Sequence, residues 1–223
     1  MPPRLSSRPG DPPRRAKRRR FPLAVLGALL LVAGLGGLGW FGYQAYLQPV
    51  VDVAGTARQV EEVKRQWEND TITPSTIPGN AIALLRIPDF GPDFEVAVVS
   101  GPTEYALSIG VGWFPETAQP GKVGNFAVAG HRGKSGPFVP LPDLKPGAKV
   151  IVETREAIYT YKLTNTPKDL TVDQTATWVL DPVPGRPDEK ATKKLITLIT
   201  CANFFRSPDR TIAFGELVDT ATK

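Results

Sequence analysis

The longest apolar stretch of the chain lies near its N-terminus. Residues 21–51 include no charged side chain, and residues 21–43 supply the roughly 20 apolar positions that cross a bilayer as a helix. Trp40, Tyr43 and Tyr46 follow at the spacing of an interfacial aromatic belt. Residues 39–43 are bulky where signal cleavage needs small side chains, so we expect an uncleaved transmembrane anchor over residues 21–46 rather than a removed signal peptide.

A second helical pattern follows the anchor. Apolar residues recur at a spacing of three to four positions, with charged residues between them, at Val53, Ala57, Val60, Val63 and Trp67. The pattern predicts a short helix within a juxtamembrane linker, residues 47–75. We interpret this linker as a spacer between membrane and domain in preference to a partner-binding helix.

Residues 76–223 show a different pattern and are enough for one domain with its own core. Strand-length apolar runs recur between Pro and Gly, and they favour a mostly-β fold: 81–87, 94–99, 125–129, 149–153, 158–164, 178–180, 195–200 and 211–217. A hairpin is predicted near Arg155, and only residues 103–109 indicate a further helix. Many short strands without βα alternation predict an antiparallel sandwich or barrel, and we expect a closed barrel of about eight strands.

Charge is distributed unevenly along the chain. Residues 1–20 carry eight basic residues and one acid, a balance of +7 within a chain of net charge +5, which leaves −2 for the remainder. A basic tail can bind nucleic acid, but this one directly precedes the apolar stretch, which is the arrangement of a positive-inside flank. We therefore expect a cytoplasmic tail, a single membrane crossing and an extracellular domain.

The exported domain contains one cysteine, Cys201, and the chain contains one histidine, His131. Extracellular cysteines normally pair as disulfides, so a lone thiol indicates either a nucleophile or a buried apolar side chain. Cys201 ends one predicted strand, His131 ends another, and Arg210 opens the next strand after Cys201. If these strands are neighbours, the three side chains face one cleft.

These three residue types suit acyl transfer by a thiol. A cysteine of ordinary pKa is only about 3% thiolate at pH 7, and a nearby imidazolium and guanidinium favour the anion. His131 would then protonate the leaving amine, and Arg210 would offer several donors to the scissile carbonyl oxygen or the substrate backbone. Taken singly, His131 could be a solvated or core histidine and Arg210 a strand-end charge.

The same residues resemble the sortases, membrane-anchored cysteine transpeptidases of Gram-positive bacteria. Residues 197–201 read Thr-Leu-Ile-Thr-Cys and match the family's TLxTC motif, Arg210 follows in an Arg-x-Ile strand, and residues 124–132 match the histidine strand. The resemblance spans residues 81–217. Residues 120–125, 129–132 and 178–182 are most similar to class E, common in actinobacteria.

The resemblance implies cleavage of a C-terminal LPXTG-like sorting signal, LAXTG in class E, between Thr and Gly. Cys201 would form a thioacyl intermediate, which a peptidoglycan-precursor amine, such as that of lipid II, or a pilin lysine would resolve. Thr200 is a candidate for orienting the substrate or the oxyanion, its alternative being an ordinary strand residue.

No metal or cofactor is expected, because the chain has one histidine, no CxxC pair and no acidic loop with EF-hand spacing. Two rival interpretations remain besides the pilus role. One is a different cysteine peptidase or an L,D-transpeptidase, which the seventy-residue separation of His131 and Cys201 disfavours. The other is a membrane-tethered, non-enzymatic binding module.

Overall fold

The computed structural model describes residues 21–43, 51–69, 79–133, 135–203 and 207–223. Two compact units divide the chain after Leu47. The predicted basic tail, residues 1–20, lies outside the described residues, as do parts of the predicted linker.

The first unit contains the predicted apolar helix. Helix α1 (Phe21–Gly42) has 22 residues, which corresponds to about 33 Å at 1.5 Å per residue. Within it, Ala24–Gly42 is long and apolar enough to cross a membrane by length and composition. The prediction of an N-terminal helix of membrane-span length is confirmed.

The described residues of the second unit form nine strands and two α-helices. The helices are α2 (Val53–Glu68) and α3 (Glu104–Ile109). The strands are β1 (Ala81–Arg86), β2 (Val96–Ser100), β3 (Val111–Trp113), β4 (Gly124–Ala129), β5 (Lys149–Glu153), β6 (Ala157–Leu163), β7 (Thr171–Asp173), β8 (Lys194–Cys201) and β9 (Asp209–Thr222).

Eight of these strands close into a barrel. Their order is β6-β5-β1-β2-β3-β4-β8-β9, and β9 pairs back onto β6 to complete the ring. Strand β7 is added outside it, on the part of β9 that begins at Asp209. The predicted closed, mostly-β barrel of about eight strands is confirmed, as is the β5–β6 hairpin near Arg155.

Two features of the barrel differ from the sequence prediction. Strand β2 pairs with β3, and β4 with β8, in parallel, so the sheet is mixed rather than antiparallel. The β2–β3 crossover contains α3, where a helix was predicted, but the three-residue strand β3 after it was not predicted, so the sequence analysis found no βα alternation. Residues 178–180, predicted as a strand, instead belong to a 3₁₀ turn, Thr177–Leu180, because Asp181 donates back to the carbonyl of Trp178.

The barrel interior is filled by alternate residues of each strand. Phe126 and Val128 of β4, Ile196 and Leu198 of β8, and Ala213 of β9 all belong to the main buried core. Because successive strand side chains point to opposite faces, the residues between them point out of this core. A smaller apolar cluster on that outer side contains Ile199 and Ile212.

Helix α2 packs on the outside of the barrel rather than standing apart from it. Val60, Val63 and Trp67 lie over a cluster of apolar side chains from β1, β2 and α3: Ala81, Leu84, Ala97, Val99, Ala106 and Ile109. The predicted amphipathic stripe therefore faces the domain, and α2 belongs to the same compact unit as the barrel.

A chain of ion pairs reinforces this contact. Lys64 of α2 lies 2.6 Å from Glu95, which also pairs with Arg86 at 3.0 Å. Arg86 in turn reaches Glu153, which binds Lys223 at 2.6 Å. The ammonium of Lys223 lies 4.4 Å from the ring centre of Trp67, so the network returns to α2.

Candidate active site

Cys201 and Arg210 lie directly opposite each other on neighbouring antiparallel strands. The β8–β9 ladder pairs Cys201 with Arg210 in register, as it pairs Ile199 with Ile212. Opposed residues in such a pair share a face, with Cβ atoms about 4.5–5.5 Å apart. The two strands are thus neighbours, the condition on which a shared cleft depended, and Cys201 is a half-buried free thiol.

The histidine strand runs beside the cysteine strand in parallel. Six consecutive pairs, from Gly124↔Lys194 to Ala129↔Ile199, keep a constant offset of seventy residues. The amide of Gly130 continues the ladder by donating to the Ile199 carbonyl at 3.0 Å. The same offset carries half-buried His131 to the level of Cys201.

Side-chain alternation places all three residues on one face. Ala129, Ile199 and Ile212 belong to the outer apolar cluster, and His131, Cys201 and Arg210 each lie two positions from one of them. The strand ends thus bring together the cysteine, histidine and arginine that the sequence singled out.

Thr200 has the opposite orientation. It lies between the outward-facing positions 199 and 201, is buried, and its hydroxyl donates to the carbonyl of Gly130 at 2.8 Å. Thr200 directly precedes Cys201, and Gly130 directly precedes His131, so this bond joins the two strand ends next to both residues. The hydroxyl therefore aligns the two strand ends.

The segment that follows Cys201 is held from two sides. The amide of Ala202 donates to the carbonyl of Asp209 at 2.9 Å, and Arg132 donates to the carbonyl of Ala202. The Nε of Arg132 is buried and has no hydrogen-bond partner among the described residues. Sequence reasoning did not single out Arg132, although it directly follows the only histidine.

The guanidinium of Arg210 is fixed by three oxygen acceptors. It donates to the backbone carbonyls of Ser207 and Asp209 and, at 3.2 Å, to Oε1 of Gln174. Gln174 follows the short edge strand β7, in which Val172 pairs with Arg210. Nothing in the local sequence marks Gln174, because its role arises from a pairing between distant segments.

An apolar groove of about 300 Å³ has Arg210 among its lining residues. Its base is formed by side chains of the outer cluster, and its walls come from α3, the β3–β4 loop, β7 and the 3₁₀ turn Thr177–Leu180. Lining side chains include Leu107, Phe114, Val172, Val179, Leu180 and Ile199. Cys201 is the strand partner of Arg210, so the groove lies next to that pair.

Among the described residues, no group of three or more His, Cys, Asp or Glu side chains is arranged to hold a metal ion. The groups gathered at the strand ends are a thiol, an imidazole and a guanidinium, which suit acyl transfer through a covalent thioester.

Comparisons with known proteins agree with this barrel and site. The family model of the sortase domain matches residues 85–218, more than half of the chain. The chain belongs to the sortase family.

Its relatives include class E members, so the class E resemblance is confirmed. Sortase E1 of Streptomyces coelicolor is 32% identical over 226 residues, which cover 92% of this chain and 62% of that protein. This chain therefore spans less than two thirds of that relative's length.

Solved structures give the same result. Sortase E from Streptomyces avermitilis matches with a TM-score of 0.58 and 31% identity, over 66% of this chain and 93% of that one. Sortase E1 from Streptomyces coelicolor, solved with a tripeptide in the active site, matches with a TM-score of 0.57 and 33% identity, over 65% of this chain and 91% of that one.

Proposed function

We propose that this chain is a membrane-anchored cysteine transpeptidase that cleaves an LAXTG- or LPXTG-like sorting signal between Thr and Gly. The observation that carries the proposal is the register of three strand ends: Cys201 opposite Arg210, with His131 at the same level on the adjoining strand. Family membership supports this assignment of catalytic roles to the three residues.

In the first step, the thiolate of Cys201 attacks the carbonyl carbon of the signal's threonine. The Thr–Gly bond breaks, the threonyl carbonyl forms a thioester with Sγ, and the imidazolium of His131 gives its proton to the departing glycine amine. In the second step, an incoming amine loses a proton to His131 and attacks the thioester. A new amide forms and the thiolate is regenerated.

Arg210 is the donor we assign to the oxyanion. The amide of Ala202, directly after the nucleophile, is engaged by the Asp209 carbonyl and so does not point at the reacting centre. A guanidinium carries five N–H donors, and the acceptors Ser207, Asp209 and Gln174 leave some of them unused. Their fixed direction suits charge that develops only in the transition state.

The groove suits the apolar part of such a signal. Leu107, Phe114, Val179 and Leu180 can surround a leucine side chain while the threonine end approaches Cys201. A tripeptide occupies the active site of the related sortase E1 from Streptomyces coelicolor, which supports a peptide in the same place here.

We assign the resolving amine to a peptidoglycan precursor, such as the amine of lipid II, and the donor to a surface protein that carries the signal. The polymerising alternative requires a pilin lysine as the amine. The cysteine-peptidase alternative requires water in its place. A non-enzymatic binding module requires no acyl adduct at all.

We also propose the orientation that the charge distribution predicts, with residues 1–20 in the cytoplasm, α1 in the membrane and the barrel outside the cell. Helix α1 has the length that this arrangement needs.

The proposal is tested with the full-length chain in detergent, mixed with LAXTG or LPXTG peptides and measured by intact mass. We expect the mass of the acyl fragment on the wild type, and no such adduct on Cys201→Ala. His131→Ala should form it at a greatly reduced rate. An alkylatable Cys201 that takes no acyl group from either peptide would refute the substrate class.

Adding a stem-peptide amine, a pilin-type lysine peptide or water alone then identifies the acceptor by which product accumulates. Rapid release of free acid without any amide product would support the peptidase alternative instead.

A further inference from the structure

A buried amide connects the groove wall to the two strands that carry the nucleophile and the histidine. Asn125 of β4 is 1% exposed, and its Nδ2 donates to the carbonyl of Val179 at 2.9 Å. Its Oδ1 accepts from the hydroxyl of Thr197, a fully buried residue of β8, at 2.7 Å. The three residues form one continuous bridge.

The bridge lies on the same face as the reacting groups. Asn125 is six positions before His131, and Thr197 is four positions before Cys201, so alternation puts each on the side of its own catalytic residue. Of the outward positions that lie between, Ala129 and Ile199 line the groove. The bridge therefore underlies the groove rather than the barrel core.

Val179 belongs to a segment with little regular structure of its own. The 3₁₀ turn Thr177–Leu180 lies in the connection of twenty residues between β7 and β8. Hydrogen bonds at its ends run within the connection, from Asp181 and Gly185 to the carbonyl of Trp178. The bond from Asn125 attaches this turn to the barrel, and Val179 and Leu180 then form part of the groove wall.

A polar side chain at such a position needs a reason. Burying an amide without partners is costly, and an apolar residue would suit the outer cluster equally well. Here both ends of the amide are satisfied: the Val179 carbonyl can only accept and so faces Nδ2, and the Thr197 hydroxyl holds the other end by donating to Oδ1.

We propose that Asn125, held in place by Thr197, is a positioning residue that sets the place of the groove wall and thereby the side chain that the sorting-signal pocket accepts. This inference rests on the proposed function for its substrate. The bridge attaches the groove wall to β4 and β8, the strands that lead to His131 and Cys201. The position of the pocket relative to the reacting groups is thereby fixed.

The test uses full-length protein with Thr197→Val, which keeps the branched shape and removes the hydroxyl, and Thr197→Ser, which retains it. Asn125→Leu removes the bridge directly. Thr154→Val is the control, because Thr154 is also a buried threonine with a hydrogen-bonded hydroxyl, although its partners are backbone groups of the β5–β6 hairpin.

Hydrogen exchange measured by mass spectrometry reports how firmly the groove wall is held, and it needs no substrate. We expect amides of residues 176–186 to exchange roughly tenfold faster in Thr197→Val, and faster still in Asn125→Leu, from loss of a bond of ordinary strength. Thr197→Ser should behave like the wild type. Exchange in the β5–β6 hairpin should change only in Thr154→Val.

Steady-state kinetics report how loss of the bridge affects substrate binding and turnover. We expect KM for the preferred signal to rise roughly tenfold in Thr197→Val while kcat changes little, since the bridge acts on the wall. Discrimination between leucine and alanine at the first signal position should fall. Alkylation of Cys201 by iodoacetamide should keep its wild-type rate.

Unchanged exchange of residues 176–186 in both Thr197→Val and Asn125→Leu would overturn the positioning role. So would an equal change in Thr154→Val, which would indicate a general loss of stability. If the wild type turns over no signal peptide, the proposed function fails, while the exchange result still decides whether the bridge holds the wall.

Discussion

Arg210 is an arginine whose geometry lysine cannot reproduce. Its guanidinium reaches three acceptors on two segments, Ser207 and Asp209 on one and Gln174 on the other, while its strand position faces Cys201. A lysine carries a single flexible ammonium and cannot hold this set while also donating to an oxyanion.

We therefore expect Arg210→Lys to lower the rate constant of acylation by roughly 10²-fold or more, the usual consequence of losing a fixed oxyanion donor. Single-turnover acylation of the full-length chain measures this. Arg186→Lys serves as the control, because Arg186 pairs with Glu189 on the exposed surface. Wild-type acylation by Arg210→Lys would remove the guanidinium from the mechanism.

Tyr161 has a structural rather than a catalytic role. Its side chain lies in the barrel core, and its phenol oxygen accepts from the amide of Gly121 at 2.8 Å. Burial raises the pKa of Tyr161 to about 12, and the negative field of Tyr159 adds to this while the Gly121 bond opposes it.

A raised pKa means that the folded state resists ionisation. The contribution of Tyr161 to the free energy of unfolding is therefore fully present below the unfolded pKa of about 10. It is lost as the pH rises toward 12, and the total loss is on the order of 2–3 kcal/mol. We expect urea unfolding to show this decline, and Tyr161→Phe to reduce it. Tyr105→Phe, at an exposed tyrosine, should leave it unchanged. Identical alkaline profiles for all three proteins would contradict the assignment.

At the scale of elements, helix α2 is part of the catalytic domain's packing. Val63, on the buried face of α2, is 1% exposed, whereas Val53, at the first position of the helix, is 63% exposed. The two valines provide a matched pair for measuring what the contact contributes.

We expect Val63→Ala to lower the free energy of unfolding by roughly 2 kcal/mol, through lost apolar contact and the cavity left behind. Val53→Ala should change it by only a few tenths of a kcal/mol. Chemical denaturation monitored by circular dichroism measures both. Equal small effects would show that α2 contributes little to the fold.

The same contact bears on where a soluble form of the domain should begin. A chain starting at residue 71 lacks α2 and exposes the apolar cluster that includes Leu84, Val99 and Ile109. A start near residue 51 retains this cover and Lys64, which pairs with Glu95.

At the scale of the whole molecule, the basic tail and α1 predict a fixed orientation in the membrane. We expect protease added outside intact protoplasts to degrade the barrel and spare a tag at the N-terminus. Lysed protoplasts are the control, in which the tag is also lost. Protection of the barrel in intact cells would reverse the proposed topology.

The sequence alone determined the features that depend on neighbouring residues along the chain. The apolar helix, most strands and the hairpin near Arg155 follow from periodicity and turn residues over a few neighbouring positions. Cys201, His131 and Arg210 could be singled out because the first two are the single cysteine and the single histidine of the chain, and all three lie at the ends of predicted strands. The chemistry of a thiol, an imidazole and a guanidinium then indicated acyl transfer.

Tertiary structure decided everything that depends on pairing between distant segments. The opposition of Cys201 and Arg210, the parallel β4–β8 ladder and the docking of α2 on the barrel are long-range contacts. Residues 178–180 have a strand-like composition but form a 3₁₀ turn, which Asn125 attaches to the barrel from fifty-four positions away. A local pattern records the preference of a segment for one conformation, whereas its partner is selected by packing and hydrogen bonding in the folded chain.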